Sequence, residues 1–279
     1  MPFTAKADYP GQYDRNGIPL LNYHGRVGLQ YNPIAIAQYG LGNYNLFCRT
    51  RNDERRQKFL RAADWLVANL EQNSFGLWVW NHHFDWEYRT PLKAPWYSGL
   101  AQGQGISVLV RAYLVTENDT YLNAARKAFE PFLKTTDKGG VAYLDENGHT
   151  WLEEYIVFPP THILNGFIWA SWGVYDYYLA TRESIAKRLF EQSIETLEAN
   201  LEKYDAGFWS LYELSGTRLK MLASPFYHRL HIVQLRILHR LTGKSIFNEY
   251  AERWAMYQNS RFKRIEALIY KSIFKLFYY

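Results

Sequence analysis

The chain has 279 residues, enough for one large domain or two small ones around a sizeable core. Hydrophobic residues make up 48% and charged residues 21%, and no apolar run approaches the ~20 residues that a membrane-spanning helix needs. The net charge of +5 favours anionic partners, and Cys48, the only cysteine, excludes an internal disulfide framework and cysteine-based metal sites.

Residues 1–30, rich in Gly, Pro, Asn and Tyr, are expected to form an N-terminal extended arm or hairpin. Their first stretch, MPFTAKADYPGQYDRNG, lacks the apolar segment of a signal peptide, which makes a cytoplasmic location the default expectation. A helix pattern begins at Asn32-Pro33. RNDERRQKFLRAADWLVANL (51–70) then repeats apolar residues with the 3.6-residue period of an amphipathic helix. Residues 74–98 are dense in aromatics and predict short strands and loops. Helices follow from about Leu100 to Thr116 and over 117–133. Asn147-Gly148 predicts the turn of a short hairpin. The diproline Pro159-Pro160 can sit inside neither a helix nor a central strand, and a new helix is expected from about Thr161. Further helices are read over 181–201 and in SPFYHRLHIVQLRILHRLTG and IFNEYAERWAMYQ.

These elements repeat. Phe59-Leu60, Tyr121-Leu122, Leu189-Phe190 and Phe247 recur every ~60–66 residues, each in a unit of apolar helix, turn, charged helix and long aromatic loop. The expected fold is therefore all-α dominated, an incomplete (α/α) toroid of about four helical hairpins over 31–258 with short β-hairpins in the loops. Its loop-fed end would carry the site. Residues 259–279 predict a basic amphipathic helix, suited to packing against the barrel or a partner chain or to lying on an anionic membrane surface, and a homodimer is a further expected partner.

Several chemistries lack their motifs. GxSxG, GxGxxG after a strand, a phosphate loop and HExxH are all missing. His228 and His231 are three apart on one helix face, but nothing nearby completes a metal set, so no metal and no cofactor is expected. Basic residues are scattered without a nucleic-acid motif, so nucleic acid is not an expected partner. AQGQG (101–105) opens a helix without a preceding strand. Gln102 and Gln104 suit hydrogen bonds to sugar hydroxyls, or else mark a tight helix contact. The aromatic content of 18% fits stacking on sugars or bases as well as a ring-filled core. What remains is Glu153, Glu154 and Tyr155 in one loop, Tyr212 and Glu213 in the next, and Tyr227 at the following helix start. If the toroid forms, these carboxylates and phenols converge on one acid/base pocket.

At these residues the chain resembles a known family. AQGQGISVLVRAYLVT, the EEY…PP…LNGF stretch, YDAGFWSLYEL, SPFYHRLHIVQL and IAQYGL (36–41) are similar, in the same order, to the C-terminal helical domain of the D-glucuronyl C5-epimerases, over about residues 28–258. The resemblance implies an (α/α) barrel acting on an anionic polysaccharide, polymeric glucuronate of heparosan or heparan type, with Glu154, Tyr155, Tyr212 and Tyr227 catalytic. Substrate-binding candidates are Gln102, Gln104, Asn165, Trp209, Arg218, His228, Arg229 and His231. Arg229, His228, Arg218 or Arg89 are the candidates for holding the sugar carboxylate. Animal members carry a β-rich region ahead of the helices, an acidic residue before the Tyr227 position and an arginine soon after Tyr212. Here only ~30 residues stand ahead of the helices, and the two positions are Phe226 and Ser215.

Removing the C5 hydrogen of a uronate builds charge on its carboxyl group and needs an acid and a base on opposite ring faces, for which Glu154 and Tyr227 are the expected pair. A lyase shares that first step. A glycoside hydrolase would need carboxylates about 5–9 Å apart across the bond. A non-catalytic glycan-binding protein is the alternative outside enzymes.

Overall fold

The computed structural model describes residues 3–88 and 90–278 of the chain. Helix α1 (Thr4–Ala7) and the antiparallel strands β1 (Gln12–Tyr13), β2 (Pro19–Asn22) and β3 (Leu29–Gln30) open the fold, so the N-terminal arm is a small meander rather than fully extended. Leu21 pairs with Gln30, and α1 packs against the next helix.

Four helical hairpins follow. They are α2 (Pro33–Thr50) with α3 (Asp53–Ala68), α4 (Gly99–Thr116) with α5 (Asp119–Phe129), α6 (Leu164–Thr181) with α7 (Ser184–Asn200), and α8 (Pro225–Thr242) with α9 (Ser245–Asn259). The first helix of each pair ends on a left-handed residue, Arg51, Glu117, Arg182 or Gly243, which reverses the chain at once. Asn52 and Asn118 then cap the next helix by accepting from its first backbone N–H groups. Each such cap is worth about 1 kcal/mol. The repeated spacing in the sequence thus records one turn used four times.

The first helices of the pairs lie inside and form a row in which α4 touches α2 and α6, and α6 touches α8. Helices α2 and α8, at its two ends, lack the extensive packing of the other neighbours and meet around the Leu100, Trp169 and Leu230 cluster and a cavity lined by Leu41, Asn45, Ile237 and Leu241, so the toroid is incomplete. Helices α4 and α6 are buried almost all round, whereas the outer helices bury one face. The closest approach is α4 to α6. A methyl on Gly173 would come within 2.2 Å of the Gly103 Cα, so both glycines are needed for the backbones to touch. Arg111 of α4 and Asp176 of α6 close the same interface with two hydrogen bonds, at 2.6 and 3.2 Å.

Long connections run from each outer helix to the next inner one. They contain β4 (Glu71–Gln72) with β5 (Trp78–Val79), and β6 (Ala142–Leu144) with β7 (Thr150–Leu152), whose turn holds Gly148 at φ +82°. All these connections collect at the N-terminal end of the inner helices. Helix α6 begins at Leu164, three residues after the expected Thr161. The delay has a cause: Thr161 and Leu164 pair with the backbone of Leu214 and Tyr212, and that edge pairing holds the segment extended.

The basic tail is helix α10 (Arg261–Tyr278). It buries Ala267 and Phe274 and clasps the 207–222 connection. Lys263 Nζ donates to the Gly207 carbonyl, Lys271 Nζ donates to the Leu222 carbonyl, and the Tyr270 hydroxyl accepts from the Lys220 N–H. Its other face leaves Phe262, Leu276 and Phe277 largely exposed. No helix of the described residues is long and apolar enough to cross a membrane.

Candidate active site

Three connections knit together above the inner helices. The Glu153 backbone N–H donates to Val141, and its carbonyl accepts from Gly99 at the start of α4. One connection further, the Tyr212 N–H donates to Met221, while the Tyr212 carbonyl accepts from Leu164 at the start of α6. The Ser224 hydroxyl caps α8 by accepting from the Tyr227 N–H at 3.2 Å. These bonds bring Tyr155, Tyr212 and Tyr227 into one cluster with Tyr88, Ile163, Met221 and Ala223. The Tyr212 and Tyr227 rings are 5.0 Å apart, and Tyr155 lies 4.7 Å from Tyr88 and 5.7 Å from Trp96.

Glu154 lies among them, only 4% exposed. Its carboxyl sits over the first turn of α6, where a methyl on Gly166 would come within 2.1 Å of Oε2. Burial pushes the Glu154 carboxyl up to about 8. A hydrogen bond from Tyr155 counters this, and the neighbouring charges of Glu153 and Glu213 add to it. The phenols are held neutral as well. Burial first, and then the charge of Glu154, raise Tyr155 and Tyr212 well above the usual tyrosine value and Tyr227 to about 12. The site at neutral pH is therefore a nest of proton donors around one carboxyl whose proton moves at modest cost. Ionising Glu154 at pH 7 costs about 1.4 kcal/mol, one pH unit below its value.

The two glutamates in sequence do different jobs. Glu153 is buried on the other side of the strand end and holds His162, accepting from its backbone N–H at 3.1 Å and meeting Nδ1 at 2.5 Å. His162 in turn accepts from the Tyr204 hydroxyl through its carbonyl. Glu213 is also buried and accepts from the Tyr88 hydroxyl. Tyr88 is the cluster member that sequence reading missed. Its only signal is the aromatic density of residues 74–98, which does not say which ring turns inward.

Several expected substrate ligands are spent on the fold instead. The Gln102 amide is fully buried, accepting from the Trp80 N–H and donating to the Trp78 and Ala128 carbonyls, so nothing remains for a sugar. The His228 Nε2–H donates to the Trp254 carbonyl, and its Nδ1 accepts from Ser210. His231 meets the same Ser210 hydroxyl at 3.0 Å. Burial drives His228 down to about 4 and His231 to about 3, so neither supplies a cation to a carboxylate. Trp209 stacks on His228 at 3.7 Å and donates to the Ala223 carbonyl. Arg229 is exposed and lines a different cavity, facing α10, while Arg218 is exposed on the 214–220 segment. Arg89 lies outside the described residues.

Asn165 and Gln104 keep capacity. Asn165 Nδ2 approaches Glu154 Oε2 at 3.5 Å, and its Oδ1, like both amide atoms of Gln104, is buried with no partner among the described residues. No group of three or more potential metal ligands occurs among the described residues.

An α/α toroid with a buried carboxyl and phenols at the N-terminal end of its inner helices is a frame for acid/base chemistry. The D-glucuronyl C5-epimerase C-terminus family matches residues 72–256, and the chain belongs to that family. A D-glucuronyl C5-epimerase of Caenorhabditis elegans is 31% identical over 223 residues, 74% of this chain but 36% of that protein, so the chain spans about a third of this relative's length. An uncharacterized protein of Methanocaldococcus jannaschii is 29% identical over 87% of both chains. Among solved structures, the GH76A α-1,6-mannanase of Salegentibacter sp. HEL1_6 has the same fold, with a TM-score of 0.60 at 12% identity over 92% of this chain and 68% of that one.

Proposed function

We propose that this chain is a C5-epimerase that converts D-glucuronate to L-iduronate residues within an acidic, heparosan-like polysaccharide. The carrying observation is Glu154, a buried carboxyl with its proton held to about pH 8, packed in a cluster with Tyr155, Tyr212 and Tyr227 in a chain of this family. The C5 hydrogen is acidic only to the extent that charge arriving on the adjacent carboxylate is stabilised. Neutral phenols supply hydrogen-bond donors to that charge, and the N-terminal ends of α6 and α8 add their partial positive charge. Ionised Glu154 takes the C5 proton as a base made stronger by burial. Tyr227, a poor base but a sound donor, returns a proton to the opposite face. Tyr155 and Tyr212 orient the pair and carry the proton back between turnovers. The same groups run the reverse direction with roles exchanged, and every step is a proton transfer.

The second reading is a lyase, favoured by the same tyrosines. It takes the C5 proton and then expels the C4 oxygen. Incubation of heparosan with the protein in heavy water separates the two. Deuterium entering at C5 without new ultraviolet absorbance is the expected result. Absorbance rising from an unsaturated uronate would replace the epimerase with a lyase, and neither signal would leave glycan binding as the function.

A further inference from the structure

Helix α10 builds a cavity that the chemistry at Glu154 does not use. It has a volume of about 500 Å³, within the usual range of roughly 300–1,000 Å³ for ligand pockets. Its walls are the first turns of α8, the end of α9 and the inner flank of α10. Arg229, Arg264, Lys271 and Lys275 all line it, and no carboxylate among the described residues does. Other cations of this protein find a carboxylate, as with Arg236 and Glu252 or Lys244 and Glu198. These four have no ion pair among the described residues. Lys271 has only the Leu222 carbonyl, and burial together with the charge of Lys275 pulls its ammonium below the ordinary value. Four like charges around one void repel one another until an anion enters.

The remaining walls suit a sugar. Pro225 offers apolar surface, while Gln258, Asn259 and Ser272 offer amide and hydroxyl groups for ring hydroxyls. The cavity shares two elements with the acid/base cluster, α8 and the connection before it. Pro225 and Arg229 flank Tyr227 in sequence, and Trp209 stands on the same connection as Tyr212. Phe226, between Pro225 and Tyr227, is 64% exposed and meets Tyr227 edge-on at 5.3 Å.

We infer that this cavity is a subsite for a further acidic sugar residue of the same chain whose uronate is held at Glu154, and so selects for a polyanionic chain over a short uronide. The inference rests on the uronate-polymer reading above. Three of its four cations lie on α10, beyond the 72–256 region that the family match covers. The subsite is therefore a feature that α10 adds to the shared fold.

The test pairs Arg264→Gln with Lys275→Gln and keeps Lys271, whose bond to Leu222 supports the loop. The control removes two charges elsewhere, Lys58→Gln with Arg188→Gln. Binding of a heparosan octasaccharide is measured by calorimetry in a Glu154→Gln background, so that it does not depend on turnover. C5 exchange is measured on long heparosan and on a tetrasaccharide. The expected result is an octasaccharide affinity about tenfold weaker with a shallower salt dependence. The exchange defect should fall on KM for the long chain rather than on kcat, and be small for the tetrasaccharide. An equal loss in the control variant, or no loss in the test variant, overturns the subsite. So does a test variant that loses only its binding to phosphatidylglycerol vesicles, which would assign the cations to a lipid headgroup. Absence of C5 exchange in the unmodified protein would sink the epimerase reading, while octasaccharide binding would still decide the cavity.

Discussion

Replacing Glu154 by Gln separates a catalytic carboxyl from a structural one, because the two roles predict opposite effects on stability. The folded-state value of about 8 lies above the ordinary 4.5, so the native protein holds a proton that the unfolded chain has released. Between pH 4.5 and 8 stability therefore falls as pH rises, by about 1.4 kcal/mol per unit. At pH 7 burying this group costs about 3 kcal/mol. Glutamine keeps the shape and hydrogen-bonding reach without the charge, so Glu154→Gln should stabilise the fold by roughly that amount at pH 7 and by almost nothing near pH 4.5. For a chain of this size the gain corresponds to roughly 6–10 °C in Tm. Thermal melts of both proteins from pH 4.5 to 8.5 check this, with C5 deuterium exchange measured on the same samples. Exchange should fall by about 100-fold or more. Melting curves that stay parallel across that pH range would refute the argument that Glu154 is buried protonated. A variant that is both less stable and fully active would make the residue structural.

Further expectations follow from the same geometry. Tyr227→Phe keeps the ring against Tyr212 and removes only the hydroxyl, so exchange should drop about 100-fold with Tm nearly unchanged; unaltered exchange removes this residue from the mechanism. Gly166→Ala places a methyl where the Glu154 carboxyl sits, 2.1 Å from Oε2 and 2.7 Å from its Cβ. Alanine is otherwise the better helix former by about 1 kcal/mol, so activity should suffer far more than stability; a fully active variant would show that the carboxyl position is not critical. Gly173→Ala pushes on the Gly103 backbone, which has no flexible side chain to yield, and should lower the urea midpoint by an amount worth about 1–3 kcal/mol. An unchanged midpoint would contradict the close α4–α6 contact.

The four hairpins were readable because helix period and turn chemistry are local. Asn52 and Asn118 cap the helices that follow them, and the sequence spacing alone marks the turns. The diproline at 159–160 correctly forbade a helix there. It did not locate the start of α6, because backbone pairing across to Tyr212 and Leu214 set that boundary. Gln102 and Gln104 show how little residue type decides by itself. Two residues apart on α4, one is fully consumed by backbone groups and the other has both amide atoms open.

The site divides along the same line. The chain's own pattern determined an α/α fold, loops delivered to one end, and acids and phenols on those loops, since each of these depends on neighbours a few residues away. Tertiary structure alone decided which of them meet. It turned Tyr88 inward from an aromatic stretch and assigned Glu153 to His162. It neutralised His228 and His231 by burial, and it set four cations of α8 and α10 around one cavity. Those outcomes rest on desolvation and on contacts between residues far apart in the chain, quantities that exist only once the helices have packed.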